Sequence, residues 1–358
     1  MNERKIVELA LGTADVQAIT PKVIAKTIDE TAKHLVVFSQ LFREQHDLEK
    51  TKGRRLIVPK MLGGIHVTSG LAPGQTVPLS TFSYDATTID VTKFGIKLKI
   101  PREALEVPVR DLLKDILYES GREWAKELDL RAMTIALDLR TGSITTWSGG
   151  TLGTTTLTPI IGITSVPPSA TIDSVDYYDG KVKLTSSIST GTLVFLYSNR
   201  CKSTGLYAEV NSPETLRIWD VLKLRATLID KTISPDILLV HPRELETLLY
   251  DPNTQAMFVS CVEYAPGVDK LNGEIGRIVD FRVLSSAHVP EGIGIMVDSS
   301  KLGWDVHKRP LEGTAEDKPE EDSVIYHMYA EREFGVNNNN AVGVLVNAKT
   351  GQYKAGDL

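Results

Sequence analysis

Cysteine is nearly absent: Cys201 and Cys261 are the only two in 358 residues. Two lone thiols can build neither a disulfide framework nor a thiolate zinc site. Long hydrophobic runs are missing as well. The longest, Leu193 to Tyr197, is five residues, whereas a membrane-spanning helix needs about 20. No membrane partner is therefore expected. The opening MNERKIVELALG carries charge but no sustained apolar core, which excludes a secretory signal. Neither sign of charge dominates: 40 Lys and Arg oppose 46 Asp and Glu, a net of −6. That balance gives no overall pull toward nucleic acid.

Common catalytic motifs are lacking too. The seven histidines, at 34, 46, 66, 241, 288, 307 and 327, never fall in an H-x-x-x-H spacing. There is no G-x-x-x-x-G-K-[ST] phosphate loop, no G-x-G-x-x-G after a strand and no G-x-S-x-G elbow. Sites assembled from distant residues leave no such trace, so the absences shift weight toward a structural or binding role without excluding catalysis.

What is present suits a folded globular chain: 42% hydrophobic and 24% charged residues. At roughly 100–200 residues per domain, two or three domains are expected. Thr20-Pro21 reads as a helix start, and Ile24, Ile28, Ala32, Leu35 and Phe38 or Ser39 then recur at helical spacing. Arg55 to Lys60 reads as a strand. Phe94, Ile96, Leu98 and Ile100 alternate with Gly95, Lys97 and Lys99 as a half-buried strand. Ile89 and Val91 alternate in the opposite phase, which predicts a bulge or twist near Lys93. Between these strands, Leu62 to Asp85 is rich in Gly, Pro, Ser and Thr, with one acid and no Lys or Arg. A long two-stranded arm cannot bury a core by itself. It must lie on its own body or on a neighbouring subunit.

The strongest helix runs from Asp111 to Leu139, with Leu113, Leu117, Ser120, Trp124, Leu128, Ala132, Ile135 and Leu139 three or four apart. At about 1.5 Å per residue it is roughly 43 Å long. The composition then changes abruptly. No charged residue occurs from Thr141 to Ile172, and 12 of the 25 residues from Thr141 to Ser165 are Ser or Thr. With strand-like pieces at Val182–Leu184 and Thr192–Tyr197, residues 142–205 read as an inserted small β module. From Ser212 the pattern is α/β. Ser212-Pro213 caps a helix carrying Leu216, Trp219, Leu222, Ala226 and Ile229 at helical spacing. Asp236 to Val240 is a short apolar run that suits a buried strand. His241-Pro242 opens a second helix with Leu245, Leu248 and Leu249 inward. Gly276 to Ser285 is a strand pair or a bent strand, and Ile293 to Asp298 is another strand. Glu312 to Asp322, with six acids and one lysine, reads as a solvated loop. Ser323 to Glu333 and Ala341 to Asn347 close the chain as strands.

Candidate chemistry is thin. Asp173, Asp176 and Asp179 before Gly180 have the wrong spacing for a calcium loop and no closing Glu. A plain hairpin turn explains them. His241 lies between a strand and a helix, where a helix-start role accounts for it. Glu103 and Glu106 read as capping or ion-pairing groups. Residues 22–60 hold nine Lys or Arg against five acids. A solvated helix face is the plainer account of that excess, and an anionic polymer the alternative.

The order of elements resembles the major capsid protein of tailed double-stranded DNA viruses, the Hong Kong 97-type fold shared with encapsulin shells. Ile89 to Leu105 (IDVTKFGIKLKIPREAL) is similar to the returning strand of that family's extended E-loop and its entry to the spine helix, through Ile100, Pro101, Glu103 and Leu105. Asp111–Leu139 is similar to the spine helix. Ser234–Pro242 resembles the A-domain strand that opens a helix. Gly276–Ser286 with Val289, Pro290 and Gly292 resembles another family stretch, with Asp280 where glycine is usual. The similarity spans residues 20–348, with 142–205 as an extra insertion.

The resemblance implies an α+β chain of the Hong Kong 97-type capsid fold. Its parts are an N-terminal arm and helix (1–50), an E-loop (51–100) and a P-domain spine helix (101–141). The inserted β module (142–205), an A-domain (206–300), P-domain strands (301–335) and an A-domain terminal strand with a tail (336–358) follow. It implies no enzyme activity and no cofactor, catalytic residue or metal. The implied partners are copies of itself as hexamers and pentamers, packaged double-stranded DNA on the inner face, and separate scaffold, portal or decoration proteins. The location is the virion capsid, with host cytoplasm during assembly. Gly63, Gly64, Gly70, Pro73, Gly74, Pro78 and Phe82 become candidate interface residues, and Lys22, Lys26, Lys33, Lys52, Arg54 and Arg55 candidate DNA-facing ones. The loop from Leu62 to Asp85 lacks the lysine that some relatives crosslink to asparagine, which puts that chemistry in doubt despite Asn337–Asn340. With only residues 1–50 before the loop, a separate scaffold or none is implied. The alternatives are an encapsulin-type compartment shell, and an α/β enzyme or carbohydrate-binding protein with a β insertion.

Overall fold

A computed structural model describes residues 21–61, 84–101, 110–168, 170–188, 190–210, 216–260 and 271–346. Its axis is the helix Arg110–Leu137, 28 residues long. Trp124, Leu128, Ala132, Met133, Ala136 and Leu137 are buried along one side. Glu119 with Arg122 and Glu123 with Lys126 line the wet side as i,i+3 pairs. The helix stops at Leu137 because Asp138 takes a left-handed φ of +48°. Its last carbonyls are taken up by distant donors: Ser198 Oγ donates to Leu137 O at 2.7 Å and Arg200 Nη2 to Ile135 O at 3.1 Å. Leu139, expected as the last helical residue, instead begins a strand.

The N-terminal helix Pro21–Lys33 buries Ile24, Ile28 and Ala32 of the expected stripe, with Ala25, against the long helix, and stops before Leu35 and Phe38. Gly121 permits the approach, since a Cβ there would sit 2.8 Å from Thr31 Cβ. Beyond the helix, Val36, Val37 and Phe38 stay buried in non-helical backbone.

Beside the long helix runs a four-stranded sheet in the order Arg43–Gln45, Gly303–Lys318, Ser323–Val336, Thr92–Pro101. Its centre is one long hairpin, registered from Gly303 opposite Val336 to Lys318 opposite Ser323. This corrects the reading of Glu312–Asp322 as a loop. Residues to Lys318 are strand, and only a short 3-10 turn, Pro319–Glu321, closes the hairpin. Acids at consecutive exposed positions mask strand periodicity because both sides there face water. The phase change near Lys93 is also resolved differently. Tyr84–Asp90 and Thr92–Pro101 are separate strands in different sheets, and the switch falls at Val91.

After the long helix, residues 139–198 form two small antiparallel sheets. One has the order Leu139–Ile144, Leu193–Ser198, Ile160–Ser165. The other has Trp147–Ser148, Leu152–Thr154, Lys181–Leu184, Ile172–Asp176. Ile144, Ile160, Ile163, Leu184, Leu193 and Phe195 bury into the same core as the long helix.

A seven-stranded mixed sheet, from Tyr207–Glu209 at one edge to Phe258–Ser260 at the other, completes the fold. At its middle, Ile237–Val240 is buried at every position, as a strand covered on both faces should be. The expected strand pair is a hairpin, Glu274–Ile278 and Phe281–Ser285. Helix Ile218–Asp230 packs on this sheet, but not by the expected stripe. Val221, Leu224 and Leu228 are buried, whereas Trp219 is 60% and Ile229 49% exposed. The helix carries two apolar stripes, and spacing alone cannot choose between them. Its described start is Ile218, and Ser212-Pro213 lies outside the described residues.

Candidate assembly surfaces

The arm begins as a two-stranded ribbon, Arg55–Met61 paired with Tyr84–Asp90 from Arg55 opposite Asp90 to Met61 opposite Tyr84. Among the described residues it hydrogen-bonds to no other sheet. Ile57 is 61% exposed, so the ribbon offers apolar surface that its own body does not cover. Its root is fixed by a small separate core of Leu48, Ile89, Val91 and Val306. Gly335 makes room for that root, because a Cβ there would collide with Ile89 Cδ1. Arg55 and Asp90 form a two-pronged ion pair at 2.6 and 3.2 Å across the ribbon base.

Below the root lie three carboxylates buried to 5% exposure or less: Asp305, Glu331 and Glu333. Arg131 of the long helix grips Glu333 through both nitrogens at 3.0 and 2.8 Å, and Thr92 Oγ1 donates to it at 2.7 Å. Arg332 holds Asp305, with His307 Nε2 3.1 Å away. Burial pushes the Asp305 pKa up. The hydrogen bond from His307 and the charges of Arg332 and His307 outweigh it, so the carboxyl stays below its ordinary value. The group locks helix, hairpin and ribbon base into one unit.

A second lock joins the N-terminal segment. The buried Asp129 carboxylate on the long helix accepts the backbone N–H groups of Val37, Phe38 and Ser39 at 2.9, 3.0 and 2.9 Å, and His288 Nδ1 stands 3.3 Å away. Gln40 and Asn272 exchange hydrogen bonds at 2.9 Å, and Asn272 Nδ2 donates to the carbonyls of Lys33 and Val36. No sequence signal pointed to these residues, because a single Asp or Asn inside a periodic segment looks like a wet-face residue.

The candidate interface residues Gly63, Gly64, Gly70, Pro73, Gly74, Pro78 and Phe82 lie outside the described residues, as do Cys261, Glu103 and Glu106. The candidate basic residues fall in two groups. Lys22, Lys26 and Lys33 are on the N-terminal helix, where Lys26 pairs with Glu30 at 3.6 Å and Lys33 with Asp29 at 3.0 Å. Lys52, Arg54 and Arg55 are at the ribbon base, where Arg54 reaches Glu331 at 3.4 Å. Asp173 and Asp179 pair with Lys183 and Lys181, and Asp176 accepts the N–H groups of Tyr178 and Asp179, so this is a hairpin turn. His241 caps its helix, accepting the Arg243 N–H at 3.3 Å. Burial pushes the Cys201 thiol up to about 11, which leaves it unreactive. On the elements around the seven-stranded sheet, Trp219, Ile229, Tyr250, Met257 and Val259 are all exposed.

No protein-family model matches this sequence, and no curated protein matches it. Solved structures do. One from Mycobacterium phage Adephagia is 13% identical, with 88% of this chain and 90% of that chain covered at a TM-score of 0.51. The mature capsid of bacteriophage PhiM1 is 13% identical, with 87% and 86% covered at 0.51. The chain has the Hong Kong 97-type capsid fold. The holo-SrpI encapsulin complex from Synechococcus elongatus PCC 7942 shares it, at 9% identity, 87% and 86% coverage and a TM-score of 0.50.

Proposed function

We propose that this chain is the major subunit of a tailed bacteriophage head, whose copies assemble as hexamers and pentamers into an icosahedral shell around double-stranded DNA. The observation that carries the reading is the likeness over 88% of this chain and 90% of its phage counterpart, so the whole capsid architecture is involved and not one shared motif. Exposed apolar groups on the ribbon, at Ile57, and on the sheet domain, at Trp219 and Tyr250, support it, since a neighbouring copy would cover them. One contact between copies need bury only about 1,200–2,000 Å², because a closed lattice multiplies weak contacts. The role is structural and not enzymatic. Packaged DNA meets Lys22, Lys26 and Lys33 weakly, since two of these already have carboxylate partners, and such contacts fade with salt.

A second reading, an encapsulin-type compartment, is favoured by the likeness to the SrpI complex. The two-sheet module over residues 139–198 favours the virus. Negative-stain imaging of the purified protein, with assay of nucleic acid in any particles, separates the two. Deleting Gly63 to Phe82 should leave a folded chain that forms no shells. Normal particles from that deletion would remove the arm from the interface.

A further inference from the structure

The sequence contains a single Asn-Gly pair, Asn272-Gly273, and packing demands both residues. It sits in a turn closed by Glu274 N–H donating to Leu271 O at 3.1 Å. Asn272 Nδ2 donates to Lys33 O at 2.6 Å and to Val36 O at 3.0 Å, carbonyls at and just past the end of the N-terminal helix. Gln40 holds the Asn272 backbone at both its N–H and its carbonyl, each at 2.9 Å. An amide is needed at 272, because a carboxylate of the same shape could donate nothing. Gly273 has a left-handed φ of +74°. A Cβ there would lie 2.7 Å from Ser285 O and 3.2 Å from Val37 Cγ1 and Cγ2.

The same pair is chemically vulnerable. Glycine sets no side chain beside its backbone nitrogen, so that nitrogen reaches the preceding amide carbon with little hindrance. We propose that Asn272 is a deamidation site guarded by folding: the lock protects it, and a chain whose lock opens converts it irreversibly to an acid. In that step Gly273 N gives up its proton and bonds to Asn272 Cγ, the Cγ–Nδ2 bond breaks, and Nδ2 leaves as ammonia. Water then opens the five-membered imide to aspartate or to isoaspartate. One water is consumed, one ammonia is released, and nothing is oxidised or reduced. In the lock this closure is opposed. Nδ2 is anchored to two carbonyls, Gln40 grips both backbone groups of Asn272, and Gly273 O accepts Ser285 N–H at 2.9 Å. The product cannot relock. It has no hydrogen for the carbonyls of Lys33 and Val36, and it puts negative charge at the helix end where the macrodipole is already negative. The Lys33 ammonium gives little relief, since it pairs with Asp29 at 3.0 Å. The modification therefore marks chains whose N-terminal segment has come loose, and keeps that segment loose. It does not depend on the shell reading.

Site-resolved mass spectrometry of the full-length wild-type chain at pH 8, folded and in urea, reads the first half of the claim. Conversion at Asn272 should run at least tenfold faster in urea. Gln40→Ala leaves the Asn-Gly pair untouched but loosens its lock, so conversion in that folded variant should rise at least threefold over wild type. Asn272→Asp reads the second half. Trypsin should cut it after Lys33 at least fivefold faster than wild type, since cleavage follows the population of the open form. Where Asn272→Asp does not fold, the Gln40→Ala rate decides. The proposal fails if the folded wild-type chain converts as fast as the unfolded one, or if Gln40→Ala converts at the wild-type rate. It also fails if folded Asn272→Asp is cut no faster than wild type.

Discussion

Asp129 shows how much one buried carboxylate can organise. It accepts three backbone N–H groups, from Val37, Phe38 and Ser39, 90 to 92 positions away in sequence. Charge-assisted bonds of this kind are about twice as strong as neutral ones, and removing the acceptor strands buried donors at about 1–3 kcal/mol each. Asp129→Ala should therefore lower unfolding free energy by about 3 kcal/mol or more, read as a lower urea midpoint at unchanged slope. Asp305 makes a pH prediction. Its folded pKa is depressed, so its stabilisation is fully present above the unfolded value near about 3.9 and is lost as pH falls through the lower folded value. Asp305→Asn should flatten the acid limb between those values in urea titrations across pH 2 to 6. It should also cost about 3–5 kcal/mol at neutral pH, as breaking a buried pair does. Glu244 has the opposite sign, since burial raises it, so its contribution declines as pH rises through its raised value.

Among the elements, the ribbon depends on its root. Ile89 fills the space that Gly335 leaves open, beside Leu48, Val91 and Val306. Gly335→Ala should push Ile89 out and cost about 1–3 kcal/mol, the usual range for overpacking. Limited proteolysis should then cut the chain between Arg55 and Asp90 faster than in wild type. Equal cleavage rates would mean that the root does not hold the arm. The helix Ile218–Asp230 teaches a different lesson. Its two apolar stripes are both at helical spacing, and only the sheet beneath picks Val221, Leu224 and Leu228 for burial. The stripe left outside, with Trp219 and Ile229, stays exposed.

At the level of the whole molecule, folding and assembly should separate. Trp219 is 60% exposed, so Trp219→Glu should change monomer stability by no more than about 0.5 kcal/mol, as surface changes usually do. If copies bury it in the shell, particle yield measured by sedimentation should fall severalfold. An unchanged yield would place that helix face on the shell's free surface.

Periodicity determined the two helices Pro21–Lys33 and Arg110–Leu137 and the half-buried strand within Thr92–Pro101, because each repeats one face at the spacing of its own backbone; unbroken apolar runs marked the strands at 237–240 and 193–197. The order of these pieces was enough to point to the fold. Tertiary structure decided what depends on distant partners: the switch of sheets at Val91, the strand beneath the acids of 312–318, the buried stripe of helix Ile218–Asp230, and the locks at Asp129 and Asp305. Local sequence carries the pattern of a face, but which face is buried is set by what the rest of the chain brings against it.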